Sequence, residues 1–440
     1  MKLQQILPAA LILAITCYLF TPGAASLLSG ANFFAWRKEF ILLTGISAFT
    51  CMSLAMLLAV RPAWLEGHIG GLDKGYALHK WLGIAAGVLI LLHWLGHDGA
   101  KWLVEAGLVQ RPVRAGGEAR GATGFSFKEL AHQLGSWSFY VMAALVVLAL
   151  TKRFPYKYFH WVHKAFGVIF LIGTYHGLVL MPQAWWSQPA GWLMIAVGAI
   201  GSACALWSLA GLIGRSRTRH GKVTHIDLAD GGIIDLRIRL DGEGLTHKAG
   251  QFAFLKFDTL EGAHPFTIAS AGHDPQALRF AIKPLGDYTQ TLLNRIKAGQ
   301  AVAVEGPYGR FDFSGNAEHE VWVAGGIGIT PFMARLEDLA AHGGARRPTE
   351  LWYSTATRFE AAFPADLEAQ CQRAGVRLKR VIADEDGRLS AQHLAQHSGD
   401  LSRTAVWFCG PLPFADSLRR GLTQHGLPKA AFHAERFAMR

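Results

Sequence analysis

The sequence predicts a membrane bundle of about six helices followed by two soluble domains, an antiparallel β-barrel and an α/β domain. Three observations carry this. Of 440 residues 51% are hydrophobic and the mean hydropathy is +0.22, too apolar for a wholly soluble chain. Charge is also divided unevenly, with 15 Lys+Arg and 7 Asp+Glu in residues 1–213 against 28 and 25 in residues 214–440. Finally, beyond residue 214 long apolar runs give way to short β-rich runs and then to alternating strand and helix. The expected domains are residues 1–213, 218–315 and 318–440.

A bilayer core of ~30 Å needs roughly 20 apolar residues per helix. Candidate spans run near Ile6–Phe20, Phe40–Val60, Leu78–Leu95, Leu134–Leu150, Trp161–Met181 and Gly191–Ile213. The first, with Lys2 before it and Gly23-Ala24-Ala25 after it, also has features of a signal peptide; a retained helix is the expectation. Basic residues gather in alternate loops: Arg61, Lys74 and Lys80; Lys152, Arg153, Lys157 and Lys164; Arg215, Arg217, Arg219 and Lys222. The positive-inside rule puts these loops, and everything after residue 213, on the cytoplasmic side of the membrane. The net charge of +11 is therefore a membrane feature, with a lipid bilayer as partner and no nucleic acid. Five scattered cysteines without a CxxC spacing argue against a disulfide framework, a structural zinc site and a cysteine-held iron–sulfur cluster.

In the soluble part Lys222–Leu228, Ile233–Leu240, Phe252–Phe257, Thr267–Ala269, Leu278–Ile282 and Ala301–Val304 read as barrel strands separated by Asp/Gly and Pro/Gly turns. A strand over Val321–Ala324, a helix over Pro331–Ala341 and strands over Glu350–Ser354 and Ala405–Cys409 then suggest a parallel sheet.

Four histidines stand at the ends of two spans, His79 and His93 on the third and His163 and His176 on the fifth. Separations of 14 and 13 residues place each pair ~20 Å apart along its helix, suiting two haems stacked across one bilayer. The natural metal pairing is His79 with His163 and His93 with His176. At ~100° per residue, 13 residues miss the starting face by ~140°, so the fifth span should be locally distorted or present its ligands to different sides. His97, His160, His68 and His132 read as rim or loop residues.

The strand His264-Pro265-Phe266-Thr267 with Ser270 points to a flavin: the Thr267 hydroxyl can hydrogen-bond a flavin ring edge. Lys283 and the amides around Gly286, Tyr288 and Thr289, opening a helix over Gln290–Ile296, suit a pyrophosphate. In Gly325-Gly326-Ile-Gly328-Ile-Thr330-Pro331 the glycines let backbone approach a dinucleotide phosphate, and Pro331 fits a first helical turn. Cys409-Gly410-Pro411 offers a cleft wall for a nicotinamide, and Ser354 and Arg358 can meet the 2′-phosphate of NADPH, preferred over NADH.

As an ordered set, these segments with Gly306-Pro-Tyr-Gly309 make the chain resemble the transmembrane ferric reductase and NADPH oxidase superfamily over residues ~35–440. The resemblance implies two b-type haems on the histidine quartet, FAD on the His264 segment and NAD(P)H on the last segments. The soluble half also resembles ferredoxin–NADP reductase modules, with His264 where those usually carry arginine. A terminal aromatic residue covers the flavin in that family; here Phe437 is the candidate, and Thr267, Cys409 and Phe437 are the expected catalytic contacts. The implied activity is electron transfer from cytoplasmic NAD(P)H through FAD and the haems to an extracytoplasmic acceptor, ferric iron or dioxygen. The alternative is a membrane haem-binding electron-transfer or sensor subunit serving a periplasmic redox partner or quinone.

Overall fold

The computed structural model describes residues 5–27, 31–110, 125–151, 156–258 and 262–435. They form two compact units that part between Ile213 and Gly214.

The first unit is helical: α1 (Ile6–Leu19), α2 (Pro22–Leu27), α3 (Phe33–Ala59), α4 (Ala63–Ile69), α5 (Leu72–Glu105), α6 (Phe127–Leu150), α7 (Tyr156–Leu180) and α8 (Pro189–Leu209). Side-chain caps fix two starts, Asn32 accepting from the Ala35 amide and Ser126 from that of Glu129. Among the described residues five helices, α3 and α5 to α8, are long and apolar enough to cross a membrane. The predicted first span, Ile6–Phe20, is present as α1 to within one residue, though it is too short to count among the five. Pro22 follows Thr21 at the end of α1, leaving 14 residues, about 21 Å of helix. Its Tyr18 hydroxyl donates to the buried Glu39 of α3 at 3.0 Å.

The third span, by contrast, is longer than predicted. α5 starts at Leu72 and continues through His97, Asp98 and Lys101 to Glu105, since a helix can outrun the hydrocarbon wherever its backbone remains paired and its side chains meet water. α3 is the most buried of the five and packs against α1, α5 and α8. The Ser53 hydroxyl there donates to the Val197 carbonyl of α8 at 2.7 Å, a pairing that hydrocarbon demands. Large apolar side chains such as Val88, Leu91, Val141 and Val168 stay exposed, the surface a lipid-facing bundle presents.

The second unit has two sheets. Strands β1 (Thr218–Ala229), β2 (Ile233–Leu240), β3 (Phe252–Lys256), β4 (His264–Thr267), β5 (Ala277–Ile282) and β6 (Ala301–Tyr308) form an antiparallel sheet in the order β4-β3-β6-β1-β2-β5. An Ile268–Phe280 bridge joins its two ends, closing it into a barrel around Leu236, Leu255, Phe280 and Val304. Where a helix over Gln290–Ile296 was expected, the chain makes two single turns, α9 (Asp287–Gln290) and α10 (Leu292–Arg295), interrupted at Thr291.

The second sheet is parallel, β11-β10-β7-β8-β9, from β7 (His319–Gly325), β8 (Thr349–Thr355), β9 (Arg377–Ile382), β10 (Thr404–Cys409) and β11 (Phe432–Ala434). Its helices are α11 (Thr330–Ala341), α12 (Arg358–Ala361), α13 (Leu367–Ala374), α14 (Ala383–Asp386), α15 (Ala391–His397) and α16 (Leu412–Gln424). Period-two alternation divides the strands between two cores. Trp322 and Trp407 face α11 and α13, whereas Val321, Val323, Val406 and Phe408 face α15 and α16.

Candidate functional site

In the helical unit the four predicted histidines meet in two pairs. The imidazole centroids of His79 and His163 are 5.9 Å apart, and those of His93 and His176 are 6.3 Å apart. Two imidazoles bound on opposite sides of one metal at roughly 2 Å place their centroids about 6 Å apart. The two rings of each couple come from different helices, α5 and α7. Three of the rings are oriented from behind. Nδ1 donates to Ala55 O in His79, to Ile41 O in His93 and to Ala131 O in His176, at 2.9, 2.9 and 2.8 Å. A carbonyl only accepts, so Nδ1 carries the proton and Nε2 keeps its lone pair, the tautomer a metal ligand needs. His163 instead lies between Phe159 and Phe166, its Nδ1 buried without a hydrogen-bond partner among the described residues. These residues fit two bis-imidazole haems.

Of the two alternatives expected for α7, local distortion is not seen. It is one continuous helix, and the 13-residue phase offset is taken up by side chains, His163 resting on phenyl rings of its own helix while His176 leans onto α6. Sequence reading also missed the supports. Gly45 sits four residues after Ile41, and a Cβ there would lie 3.3 Å from the His93 ring; Gly135 sits four residues after Ala131, and a Cβ would lie 2.2 Å from His176 Nδ1. A helical carbonyl lies beside the side chain four residues on, so glycine there uncovers it for a second hydrogen bond. Nothing in a lone glycine signals this; only the spacing from a carbonyl known to be in use does. The rings of His97, expected at the rim, and His132, expected in a loop or at the interface, lie 6.3 Å apart, and that of His132 is 6.4 Å from His176.

In the second unit the nucleotide segments converge at the carboxyl edge of the parallel sheet, where such folds bind dinucleotides. Register pairs Ala324 with Cys409 and Gly325 with Ser354, so three predicted residues lie side by side. Missing side chains allow the turns to touch. A Cβ on Gly328 would come 2.1 Å from the Cys409 carbonyl oxygen, and Gly410, at φ +159°, would carry one 3.0 Å from Gly325 Cα. Gly326 adopts φ +55° with open space beyond it. Thr330 and Pro331 are buried at the start of α11, Thr330 donating to Ile327 O at 2.8 Å, and Pro411 caps α16. Burial, then the nearby Glu435 carboxylate, pushes the Cys409 thiol up, which keeps it neutral. Arg358 is exposed and bound to Glu385 at 2.9 and 2.5 Å, which raises its pKa further.

The flavin segments lie on the barrel. β4 ends one side of its sheet, and His264, Pro265, Phe266 and Thr267 are all half-buried. The His264 and Tyr288 rings stack at 3.8 Å, bracing the turn at 286–289 against β4. Thr289 Oγ1 accepts from the Gly286 amide at 3.0 Å, and a Cβ on Gly286 would meet nothing, leaving space before that backbone. Ser270 Oγ accepts from the Arg279 amide and so ties the end of the segment to β5. Lys283, expected at a pyrophosphate, is instead 2.6 Å from Glu360 of α12, whose carboxyl it holds below the usual carboxylate range. Phe437 lies outside the described residues.

Residues 44–174 match the family "Ferric reductase like transmembrane component", and residues 219–312 match "FAD-binding domain". The propane 2-monooxygenase reductase component of Rhodococcus jostii (strain RHA1) is 27% identical over 239 residues, 49% of this chain and 62% of that protein. Respiratory burst oxidase homolog protein E of Arabidopsis thaliana is 26% identical over 253 residues, 50% of this chain and 26% of that one. The chain thus spans less than two thirds of the length of these relatives. A flavohemoglobin from Malassezia yamatoensis with bound FAD and heme is similar at TM-score 0.50 and 16% identity, over 91% of this chain and 97% of that one, a likeness of fold alone.

Fold and matches together give a multi-pass helical domain similar to a ferric-reductase-type transmembrane component and a following domain similar to FAD-binding domains. More particularly, the helical domain precedes the FAD-binding barrel and a parallel α/β domain, the order that the resemblance to ferric reductases and NADPH oxidases implied.

Proposed function

We propose that this protein carries electrons from cytoplasmic NADPH through FAD and two b-type haems to an acceptor outside the bacterial inner membrane, ferric iron or dioxygen. The observation that carries it is the pair of imidazole couples 5.9 and 6.3 Å across, with three of the four rings held in the metal-binding tautomer. FAD, when bound, takes up a hydride and passes on single electrons, which haem relays. The chain's own residues position. The Gly326–Gly328 turn receives the nucleotide phosphates, and Arg358 leaves Glu385 for the 2′-phosphate. Gly410 and the neutral Cys409 thiol give the nicotinamide a flat, uncharged wall, Thr267 hydrogen-bonds the flavin edge, and Phe437 is the proposed ring cover. His79 with His163 and His93 with His176 would hold the two haems, which would supply one-electron relay. Basic loops on one side support a cytoplasmic reductase module, and outward electron flow across an inside-negative membrane is favoured by ~2.3 kcal/mol per 100 mV.

The test is a reduced-minus-oxidised spectrum of the purified full chain, with NADPH as reductant and ferric chelate or dioxygen as acceptor, superoxide being trapped separately. Two b haems reduced by NADPH are expected; their absence after haem-replete expression rejects the relay. A second reading is favoured by the relatives named as reductase components: delivery to a separate periplasmic protein or quinone. It is supported if neither ferric chelate nor dioxygen reoxidises the reduced protein.

A further inference from the structure

Away from these sites, His273, Asp338 and His342 each offer a ligand atom, and the three atoms lie within 4.8 Å of one another. They come from different parts of the second unit. His273 lies in the loop between β4 and β5 of the barrel, while Asp338 is in the last turn of α11 and His342 is its C-cap, one helical turn on. We propose that they form a binding site for a divalent transition-metal ion, zinc by preference, that fastens the barrel to the helix leaving the glycine-rich turn.

The donor set selects the ion. Two imidazole nitrogens and one carboxylate oxygen suit zinc and its neighbours, whereas magnesium and calcium take oxygen ligands; three protein ligands leave a position for water. The groups behind the ligands are also arranged. His342 Nδ1 lies 2.8 Å from the Asp338 carbonyl oxygen, so Nδ1 donates and Nε2 keeps its lone pair. Arg335 donates to Asp338 Oδ2 at 2.7 Å, which leaves Oδ1 as the carboxylate oxygen available to an ion.

The loop bearing His273 is held independently of any ion. Glu337 accepts from the Ala271 amide at 2.9 Å, linking loop to α11, and a Cβ on Gly272 would lie 2.4 Å from the His247 carbonyl oxygen. Two neighbours of His273 are thus fixed before a metal arrives. Both histidines are exposed, so the ion can enter from solution.

The test uses tag-free full-length protein in detergent, stripped with chelator, and ZnCl2 titrated in competition with a chromophoric chelator. One equivalent above that of a His273→Gln/His342→Gln variant is expected. Each single glutamine variant should weaken this equivalent roughly 10- to 100-fold, Asp338→Asn likewise, with flavin and haem content unchanged. His393 and His397, one turn apart on α15 with rings 4.8 Å apart, are the control pair, and replacing both should leave the equivalent in place. Excess MgCl2 should not displace the zinc. The proposal is overturned if wild type binds no such equivalent, if His273→Gln and His342→Gln keep wild-type affinity, if the control pair abolishes it, or if magnesium competes.

Discussion

The two units build their candidate sites by opposite means. In the membrane unit the histidines sit on uninterrupted helices, and the work falls to side chains of α5 and α7 that meet in pairs. In the soluble unit it falls to backbone stripped of side chains, Gly325, Gly326, Gly328 and Gly410 bringing two turns into contact. The difference follows from solvent. Helical backbone in hydrocarbon is already paired internally, so chemistry there must come from side chains. At the end of a sheet, in water, amides remain available and the side chain becomes the obstacle.

If the contrast holds, deleting one side chain should be most damaging in the membrane and adding one most damaging at the turn. The largest expected effect is His93→Ala. The haem count by pyridine haemochrome should fall from two to one, and acceptor reduction by more than about 100-fold, while NADPH still bleaches the flavin. Loss of flavin reduction as well would mark the residue as structural. Next comes Gly328→Ala, which drives a Cβ to 2.1 Å from the Cys409 carbonyl oxygen. Overpacking of about 1–3 kcal/mol should raise KM for NADPH at least tenfold with haem content intact. Gly135→Ala then probes where the contrast breaks. Its Cβ would meet His176 at 2.2 Å, so the haem proposed between His93 and His176 should be lost as in His93→Ala, although only a methyl has been added. An unchanged haem spectrum would show that His176 has room to turn.

The same contrast governs what could be read from sequence. Spans, histidine spacing and the glycine turn were legible because hydropathy, helical rise and missing Cβ atoms are local properties. The carbonyls of Ile41, Ala55 and Ala131 that orient the rings were not, since any residue has a carbonyl and only helix packing selects three of them. Strand β9 was missed because Arg377-Leu-Lys-Arg, at a sheet edge, alternates too weakly to suggest burial. The engagement of Arg358 and Lys283 by Glu385 and Glu360 was hidden too, for sequence shows charges and not their partners.

Arg358 and Glu385 give the next effect in size. An exposed ion pair is worth ~0–1 kcal/mol, so releasing the guanidinium to a 2′-phosphate costs little. Arg358→Ala should lower the ratio of kcat/KM for NADPH over NADH about tenfold, and Glu385→Ala should raise it two- to threefold by removing the competitor. An unchanged ratio in both assigns specificity to other groups.

The smallest effect concerns Lys283 and Glu360, a pair joining the barrel to α12 with each side chain about a quarter exposed. The hydrogen bond from Lys283 lowers the Glu360 pKa, so the folded state binds this proton less readily than the unfolded chain does. Stability from this source is fully present above the ordinary glutamate pKa of about 4.3 and is lost as pH falls through the lower folded value. With solvent screening it amounts to less than about 1 kcal/mol. Thermal unfolding followed by flavin fluorescence should therefore show Glu360→Gln less stable than wild type at pH 7, the gap closing as acid protonates the wild-type carboxylate. A gap that persists undiminished at low pH would mean that Glu360 acts through its hydrogen bond to the Ala356 amide, 3.2 Å away, and not through the ion pair.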